Sequence, residues 1–287
     1  MPELPEVEAL RQYLTDAVTE CRIASVTPVA VNVLKTWDPP LEELVGRVCT
    51  RVERHGKFLD LCTENGPHLV VHLARAGWLR WRAEEPARAG PGRGPLALRL
   101  RLADGRGGFD LTEAGTQKRL AVYCVRSPED VPGIARLGPE PLSDTFDVAA
   151  FAELLRGRRH RIKGVLRDQS VIAGIGNAYS DEILHAARMS PYRLASDLDG
   201  SEIETLYAAM RGTLLEAVER ARGLAAQNLK SEKKSSMRVH GRAGLPCPVC
   251  GDTVREVSFR DSSLQYCPTC QTDGRTLADR RMSRLLK

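Results

Sequence analysis

The sequence predicts an α+β chain of several domains, with a leading helix on a β-sandwich, a helical domain, and a small four-cysteine zinc finger. Three observations carry that expectation. Short β-rich runs fill residues 1–126, the hydrophobic period turns helical after a Pro- and Gly-rich stretch at 127–144, and Cys247, Cys250, Cys267 and Cys270 form two CxxC pairs near the end. A chain of 287 residues is too long for one ordinary core and long enough for two cores plus a small module. With 42% hydrophobic and 28% charged residues and a mean hydropathy of −0.29, wholesale disorder and fibrous folds are excluded. No window approaches the roughly eighteen apolar residues of a membrane span. The first twenty residues carry five acids where a secretory leader needs a basic start. The chain is therefore read as cytoplasmic, with no membrane partner, and as a monomer. The expected boundaries are 1–126, a linker at 127–144, a helical domain at 145–240, a finger at 241–275 and a basic tail at 276–287.

The elements follow in order. Val7, Leu10, Leu14, Ala17, Val18 and Cys21 recur at helical spacing behind Pro5, a residue suited to a first turn, and predict an amphipathic helix from Pro5 to Glu20. Strands are expected at Ile23–Val33, Arg47–Glu53, Phe58–Cys62, Leu69–Leu73 and Leu120–Val125. Leu96, Leu98, Leu100 and Leu102 alternate with other residues, which marks a strand with one buried face. The Ala/Gly/Pro/Arg stretch Glu85–Pro95 reads as a loop. Beyond 144, Leu166–Ala187 reads as two helical pieces broken at Gly174–Asn177. A capping-box pattern at Ser201 and Glu204 precedes a long helix with Ile203, Leu206, Tyr207, Met210, Leu214, Val218 and Ala221 on one face.

The net charge of +5 is unevenly spread. Residues Arg220–Lys287 hold 14 Lys and Arg against 6 Asp and Glu, a surplus of +8, which leaves residues 1–219 with 28 against 31, or −3. A polyanion met by the last quarter of the chain fits that asymmetry, as does a solvated basic tail. The two CxxC pairs, separated by sixteen residues, have the spacing of one closed tetrahedral site. They call for one structural Zn2+ with no open position for catalysis. Pro248 and Pro268 stiffen the knuckles, Gly251 lets the first one turn, and Val254–Phe259 supplies a hairpin arm. Cys21, Cys49, Cys62 and Cys124 sit in apolar patterns and read as small core residues.

The chain opens Met1-Pro2-Glu3-Leu4-Pro5-Glu6. Removal of Met1 would leave Pro2 as a terminal secondary amine beside two carboxylates at a helix start. A terminal amine titrates near ~8, against ~10.4 for lysine, so far more of it is neutral and nucleophilic at pH 7. Such an amine suits attack on an acetal-like carbon to give an iminium ion, with Glu3 placed for the acid/base step. An ordinary helix start with dipole-compensating acids fits the same residues.

The opening PELPEVE, His55-Gly56-Lys57, Leu137–Leu142, Ile162-Lys163 through Asp168-Gln169, Gly174–Tyr179 with Asp181-Glu182, and the finger ending Cys270-Gln271 together resemble the formamidopyrimidine-DNA glycosylase / endonuclease VIII family, collinearly from Pro2 to Gln271. The resemblance implies an N-terminal helix and β-sandwich, a helix-two-turn-helix domain and a zinc finger, with damaged double-stranded DNA, or single-stranded or bubble DNA, as partner. It implies a bifunctional DNA glycosylase and AP lyase of base-excision repair. Pro2 would attack C1′ of a flipped nucleotide, and cleavage would follow by β- or β,δ-elimination. Glu3 matches the acid/base carboxylate, Glu6 an acid near the same site, and Lys57 a lysine that reaches DNA near the lesion. Lys163 and Asn177 match phosphate-gripping positions.

Three places depart from the family's pattern. Arg75, in His72–Gly77, stands where a methionine or leucine wedge commonly fills the gap left by the flipped base. Leu111–Arg119, with Lys118 and Arg119, replaces a second wedge loop. Ser262 stands where a finger arginine grips phosphate, with Arg260 two residues earlier. A non-catalytic damaged- or structured-DNA binding protein on the same fold is the alternative, although pure binding has no use for a terminal proline beside acids. A zinc-ribbon RNA-binding module leaves the first 140 residues without a purpose.

Overall fold

The structure is a computed structural model that describes residues 1–83, 95–259 and 262–278. Residues 84–94, which make up nearly all of the expected Glu85–Pro95 loop, lie outside the described residues, as do Arg260 and residues 279–287 of the basic tail. The chain forms two compact units. The first is Met1–Leu137 with Ala221–Leu229, and the second is Gly138–Arg220 with the residues from Lys230 on.

The first unit opens on helix α1 (Leu4–Val18), which buries Leu4, Val7, Leu10, Leu14 and Val18 at the expected three- and four-residue spacing. It ends before Glu20 because the Glu20 amide donates to the Cys49 carbonyl at 2.8 Å and Glu20 takes a left-handed φ of 61°. Eight strands follow: β1 (Ile23–Pro28), β2 (Cys49–His55), β3 (Phe58–Thr63), β4 (His68–His72), β5 (Gly77–Arg82), β6 (Leu96–Leu102), β7 (Gly108–Glu113) and β8 (Ala121–Val125). They make two four-stranded antiparallel sheets, ordered β1-β6-β7-β5 and β2-β3-β4-β8. One core joins them. Ile23, Leu79, Leu98, Leu100, Phe109 and Leu111 come from the first sheet, and Val52, Leu59, Leu61, Leu69, Val71 and Val122 from the second, with α1 packed on the same cluster.

The expected strand Ile23–Val33 is shorter in the structure. It stops at Pro28, which has no N–H for the ladder, and Val31–Val33 form a 3-10 turn. The β6 leucines alternate as expected, but Ala97 and Arg101 between them are buried too, because Arg101 donates to Asp110 on neighbouring β7 at 3.0 Å. Strands β5 and β7 are additional to the expected set. Glycines and arginines interrupt their apolar pattern, yet Gly108 is what lets β7 approach β6, since a Cβ there would lie 2.1 Å from the Leu100 carbonyl oxygen.

The second unit contains α2 (Val148–Leu155), α3 (Ile162–Arg167), α4 (Asn177–Ala186), α5 (Gly200–Ala221) and α6 (Leu229–Ser236), the last two reaching the unit boundary. The expected pair of helical pieces is α3 and α4. The turn between them is closed by the Gln169 side chain, which donates to the Ile175 carbonyl at 2.7 Å and accepts from the Gly174 amide at 3.0 Å. The cap of α5 is Asp199 with Glu202 and not Ser201 with Glu204. Asp199 accepts from the Glu202 amide at 2.9 Å and its own amide donates to the Glu202 carboxylate at 3.0 Å. The finger follows as a knuckle at Cys247–Cys250, a hairpin of β9 (Arg255–Ser258) and β10 (Ser263–Tyr266), and a second knuckle on the short helix α7 (Pro268–Gln271). Among the described residues no helix is long and apolar enough to cross a membrane.

Candidate active site

Pro2, Glu3 and Glu6 are all buried at the start of α1, with Glu3 and Glu6 only 2% and 3% exposed. Glu3 is the N-cap. Its amide donates to Glu6 Oε2 at 2.8 Å while its carboxylate accepts from the Glu6 amide, a reciprocal capping box. Both carboxylates thus lie at the positive end of the helix dipole. Glu6 fixes the Glu3 backbone next to Pro2, so Pro2 is held in a sheltered position at the start of the helix.

Lys57, also buried, follows Gly56 in the turn between β2 and β3, and Gly56 takes a φ of 55° there. The turn is fastened to α1 by Arg54, whose Nε donates to Glu8 Oε2 at 2.8 Å and whose terminal nitrogen donates to the Gly56 carbonyl at 3.1 Å. Burial of Glu8 opposes its ionisation, yet hydrogen bonds from Arg11 and Arg54 hold its carboxyl below the usual range. His72, with its ring centroid 4.6 Å from that of Phe58, is pushed down to about 4 by burial and by the Lys57 charge, so it is neutral at pH 7.

Arg75 is exposed in the turn between β4 and β5. That turn is tight: the Gly77 amide donates to the Leu73 carbonyl, and a Cβ at Gly77 would lie 2.1 Å from the same oxygen. Lys118 and Arg119 are exposed in the loop from β7 to β8, which is shorter than expected because Leu111–Glu113 belong to β7. Glu113, missed in the sequence because it reads as one more loop acid, organises this loop. Its buried carboxylate accepts from the Arg119 and Leu120 amides at 2.7 and 2.9 Å, and its carbonyl accepts from Lys118 Nζ at 2.5 Å.

In the second unit Lys163 differs from the expectation of a phosphate-gripping side chain. It is 5% exposed, and its ammonium donates to Asp181 Oδ1 at 2.6 Å, Ser180 Oγ at 2.8 Å and the Asn177 carbonyl at 3.1 Å. Those contacts use its three protons. Lys163 therefore braces the start of α4 from inside, and Asp181 passes the connection on to His240 Nδ1 at 2.8 Å. Asn177, the first residue of α4, donates from Nδ2 to the Ser263 carbonyl of the finger hairpin at 2.8 Å. Its side chain joins helix to finger. Glu182, fully within the unit, accepts the amides of Arg238, Val239 and His240 at 2.8–2.9 Å and so holds the segment entering the finger.

The four finger thiols converge, every Sγ lying within 4.8 Å of the others. The Cys250–Cys267 and Cys247–Cys270 separations are 3.3 and 3.9 Å, bracketing the ~3.8 Å edge of a tetrahedral zinc–thiolate site. All four donors are sulfur and all four belong to the chain, so the cluster fits one structural Zn2+. His185 of α4, 3% exposed, places Nε2 at 3.3 Å from Cys247 Sγ. By sequence His185 reads only as one histidine in a helix, with no cue to this contact. Arg260 lies outside the described residues, and Ser262 accepts from the Phe259 amide in the hairpin turn.

Comparison with known proteins is consistent along the chain. Residues 1–114 match the formamidopyrimidine-DNA glycosylase N-terminal domain, residues 137–228 the formamidopyrimidine-DNA glycosylase H2TH domain, and residues 244–272 the zinc finger found in FPG and IleRS. A formamidopyrimidine-DNA glycosylase of Symbiobacterium thermophilum is 37% identical, the match covering 98% of this chain and 93% of that protein. An uncharacterized formamidopyrimidine-DNA glycosylase-like protein of Mycobacterium tuberculosis is 61% identical over 53% of this chain and 94% of its own length. Among solved structures, MutM in complex with carbocyclic 8-oxo-G containing DNA superposes with a TM-score of 0.82 at 26% identity, covering 94% of this chain and 100% of that one. The Lactococcus lactis Fpg in complex with an abasic site containing DNA gives 0.82 at 26% identity, covering 94% and 99%.

Proposed function

The chain belongs to the formamidopyrimidine-DNA glycosylase family, and from that premise we propose that it is a DNA repair glycosylase that binds damaged double-stranded DNA and also cleaves the strand as an AP lyase. A base inside a duplex is out of reach, so the target nucleotide is flipped out. Pro2, once Met1 is removed, is the nucleophile. Its neutral amine attacks C1′, the glycosidic bond breaks and the base departs with the amine's proton; the C1′–O4′ bond then breaks, O4′ taking a proton from Glu3, which opens the sugar and leaves an iminium at C1′. That iminium acidifies the C2′ proton. Transfer of this proton to a base expels the 3′ phosphate, and water then hydrolyses the imine and returns the Pro2 amine.

Glu3 handles the proton at the sugar, and Glu6 is a positioning residue that acts through the Glu3 backbone. Lys57 meets the DNA near the lesion from its anchored turn, while Arg75, Lys118, Arg119 and the Asn177 turn contact the strand around it. Bound zinc supplies structural cross-linking of the finger, with Cys247, Cys250, Cys267 and Cys270 as its ligands. The observation that carries this reading is the capping box of Glu3 and Glu6 immediately after Pro2, with all three residues buried.

The test is borohydride trapping on abasic-site DNA with the adduct mapped by peptide sequencing. The processed protein is expected to trap at Pro2, and a protein retaining Met1 is expected not to trap. Equal trapping by both would move the nucleophile to a lysine. Binding with no trapping at all would make the chain a non-catalytic DNA-binding protein.

A further inference from the structure

Two of the buried carboxylates on the sheets of the N-terminal unit, Asp110 and Asp60, are neutralised in different ways. Asp110 of β7 is surrounded by three guanidinium groups, from Arg82, Arg99 and Arg101, at 3.0–3.2 Å. Asp60 of β3 is 0% exposed and has no such partner among the described residues. Its contacts are imidazoles, His68 Nδ1 at 2.9 Å from Oδ1 and His55 Nε2 at 3.2 Å from Oδ2.

Strand geometry explains the grouping. Asp60 and Cys62 stand two apart on β3 and so share one face of the sheet. The neighbours Leu59 and Leu61 point the other way, into the core. Glu53 is directly opposite Asp60 across the β2–β3 ladder, and the β3–β4 register that pairs Leu61 with Leu69 brings His68 opposite Cys62. A carboxylate, a thiol and an imidazole are thereby gathered with their donor atoms all within 4.8 Å of one another, and Glu53, His55 and Asp60 form a second such trio sharing Asp60. Cys62 is 1% exposed, whereas the His68 and His55 side chains are 16% and 24% exposed, so the cluster has a buried floor and a rim open to solvent.

We propose that Asp60, Cys62 and His68 are the ligands of a second metal site, for a zinc-class divalent cation, with His55 orienting Asp60 from outside. Sulfur, nitrogen and oxygen donors together select a borderline ion over magnesium or calcium. Bond lengths of about 2.0–2.3 Å put tetrahedral ligands roughly 3.3–3.8 Å apart, so the His68–Asp60 pair, at 2.9 Å, opens by a few tenths of an ångström while the Cys62 thiol, within 4.8 Å of both, closes by about an ångström at most, within the reach of rotamer adjustment. On binding, the Cys62 S–H bond breaks, a metal–sulfur bond forms and the proton goes to solvent. His68 turns its Nδ1 lone pair to the ion with the ring proton on Nε2, and Asp60 Oδ2 keeps its hydrogen bond to His55. Three protein ligands leave a fourth position to water. The inference does not depend on the glycosylase reading.

The measurement is zinc stoichiometry on the full chain after zinc loading and exhaustive dialysis. Two zinc ions per chain are expected for the wild type, one for Cys62→Ser, one for His68→Ala, and one for Cys250→Ser, which empties only the finger. Cobalt loading gives a second readout. The spectrum lost on Cys62→Ser should carry the charge-transfer band of a single thiolate, weaker than that of the four-thiolate finger. One zinc in the wild type overturns the proposal even if neither cluster variant folds, and so does a Cys62→Ser protein that retains two. In either case the cluster is a hydrogen-bonded buried carboxylate only.

Discussion

Arg54 stands 2.8 Å from Glu8 and donates at the same time to the Gly56 carbonyl, so the turn that carries Lys57 and the helix that carries Pro2, Glu3 and Glu6 are held by one guanidinium. Neither residue of this pair needs to touch DNA to matter. Misplacement of a reacting group by about an ångström costs on the order of 10- to 100-fold in rate. Arg54→Ala is expected to slow single-turnover base excision by about that much while DNA affinity changes little, and Glu8→Gln to act in the same direction. An unchanged single-turnover rate in Arg54→Ala would show that the Lys57 turn holds itself.

The same pair has a pH signature. The Glu8 carboxyl titrates below its ordinary value in the folded chain, so its contribution to stability is complete above the unfolded value of about 4.3 and is lost as pH falls through the lower folded one. The stability difference between wild type and Glu8→Gln should be flat from pH 7 down to about 5 and shrink in stronger acid. Urea melts of the two proteins across that range check it, and a difference that stays constant down to pH 3 would contradict it.

Arg75 should decide strand dependence. An arginine at the tip of the tight Leu73–Gly77 turn fills a vacated base position by stacking and hydrogen bonding where an apolar wedge would fill it by contact. Arg75→Ala is expected to lower activity on duplex lesions several-fold more than on single-stranded ones, because only the duplex leaves an orphan base. With Ser262 in the finger turn, abasic sites and oxidised pyrimidines should be processed faster than 8-oxoguanine opposite cytosine. Single-turnover rates on 8-oxoguanine:cytosine and thymine glycol:adenine duplexes decide this, and faster turnover of the former would refute it.

His185 should set how long the finger keeps its metal. A ring nitrogen 3.3 Å from Cys247 Sγ orients that ligand, and loss of such outer partners typically costs about 10- to 100-fold in metal affinity. His185→Phe is expected to release zinc to a competing chelator about tenfold faster or more, and DNA affinity should then fall once the metal is gone. Release at the wild-type rate from a folded His185→Phe protein would leave the ring as packing alone.

Much of this molecule was legible in its sequence, and the parts that were not share a cause. The α1 stripe, the β6 leucines, the helical period beyond 144 and the CxxC pairs are periodic, so they survive reading without a partner. The acids Glu3 and Glu6 were legible at the helix start, but their reciprocal capping box shows only in the structure. Hidden were contacts between residues far apart in the chain. Lys163 reads as a phosphate-gripping lysine until Asp181 and Ser180 are seen around it. Asn177 reads as a turn residue until Ser263 is found across from it. Strand β5 was hidden for another reason, because Arg80 and Arg82 break its apolar run and pairing with β7 supplies what propensity does not.

The segment Ala221–Leu229 returns to the first unit after the chain has built most of the second, and Ala221, Ala226 and Leu229 are buried in the core that α1 and the two sheets share. On the ribosome this inverts the order of completion. The unit that begins to emerge first waits for roughly ninety further residues after Leu137, several seconds or more at about 5–20 residues per second, before its last core side chains arrive. A fragment ending at Leu137 would carry every catalytic candidate and still lack part of its interior, so the N-terminal half is a piece of machinery that only the nearly finished polypeptide can close.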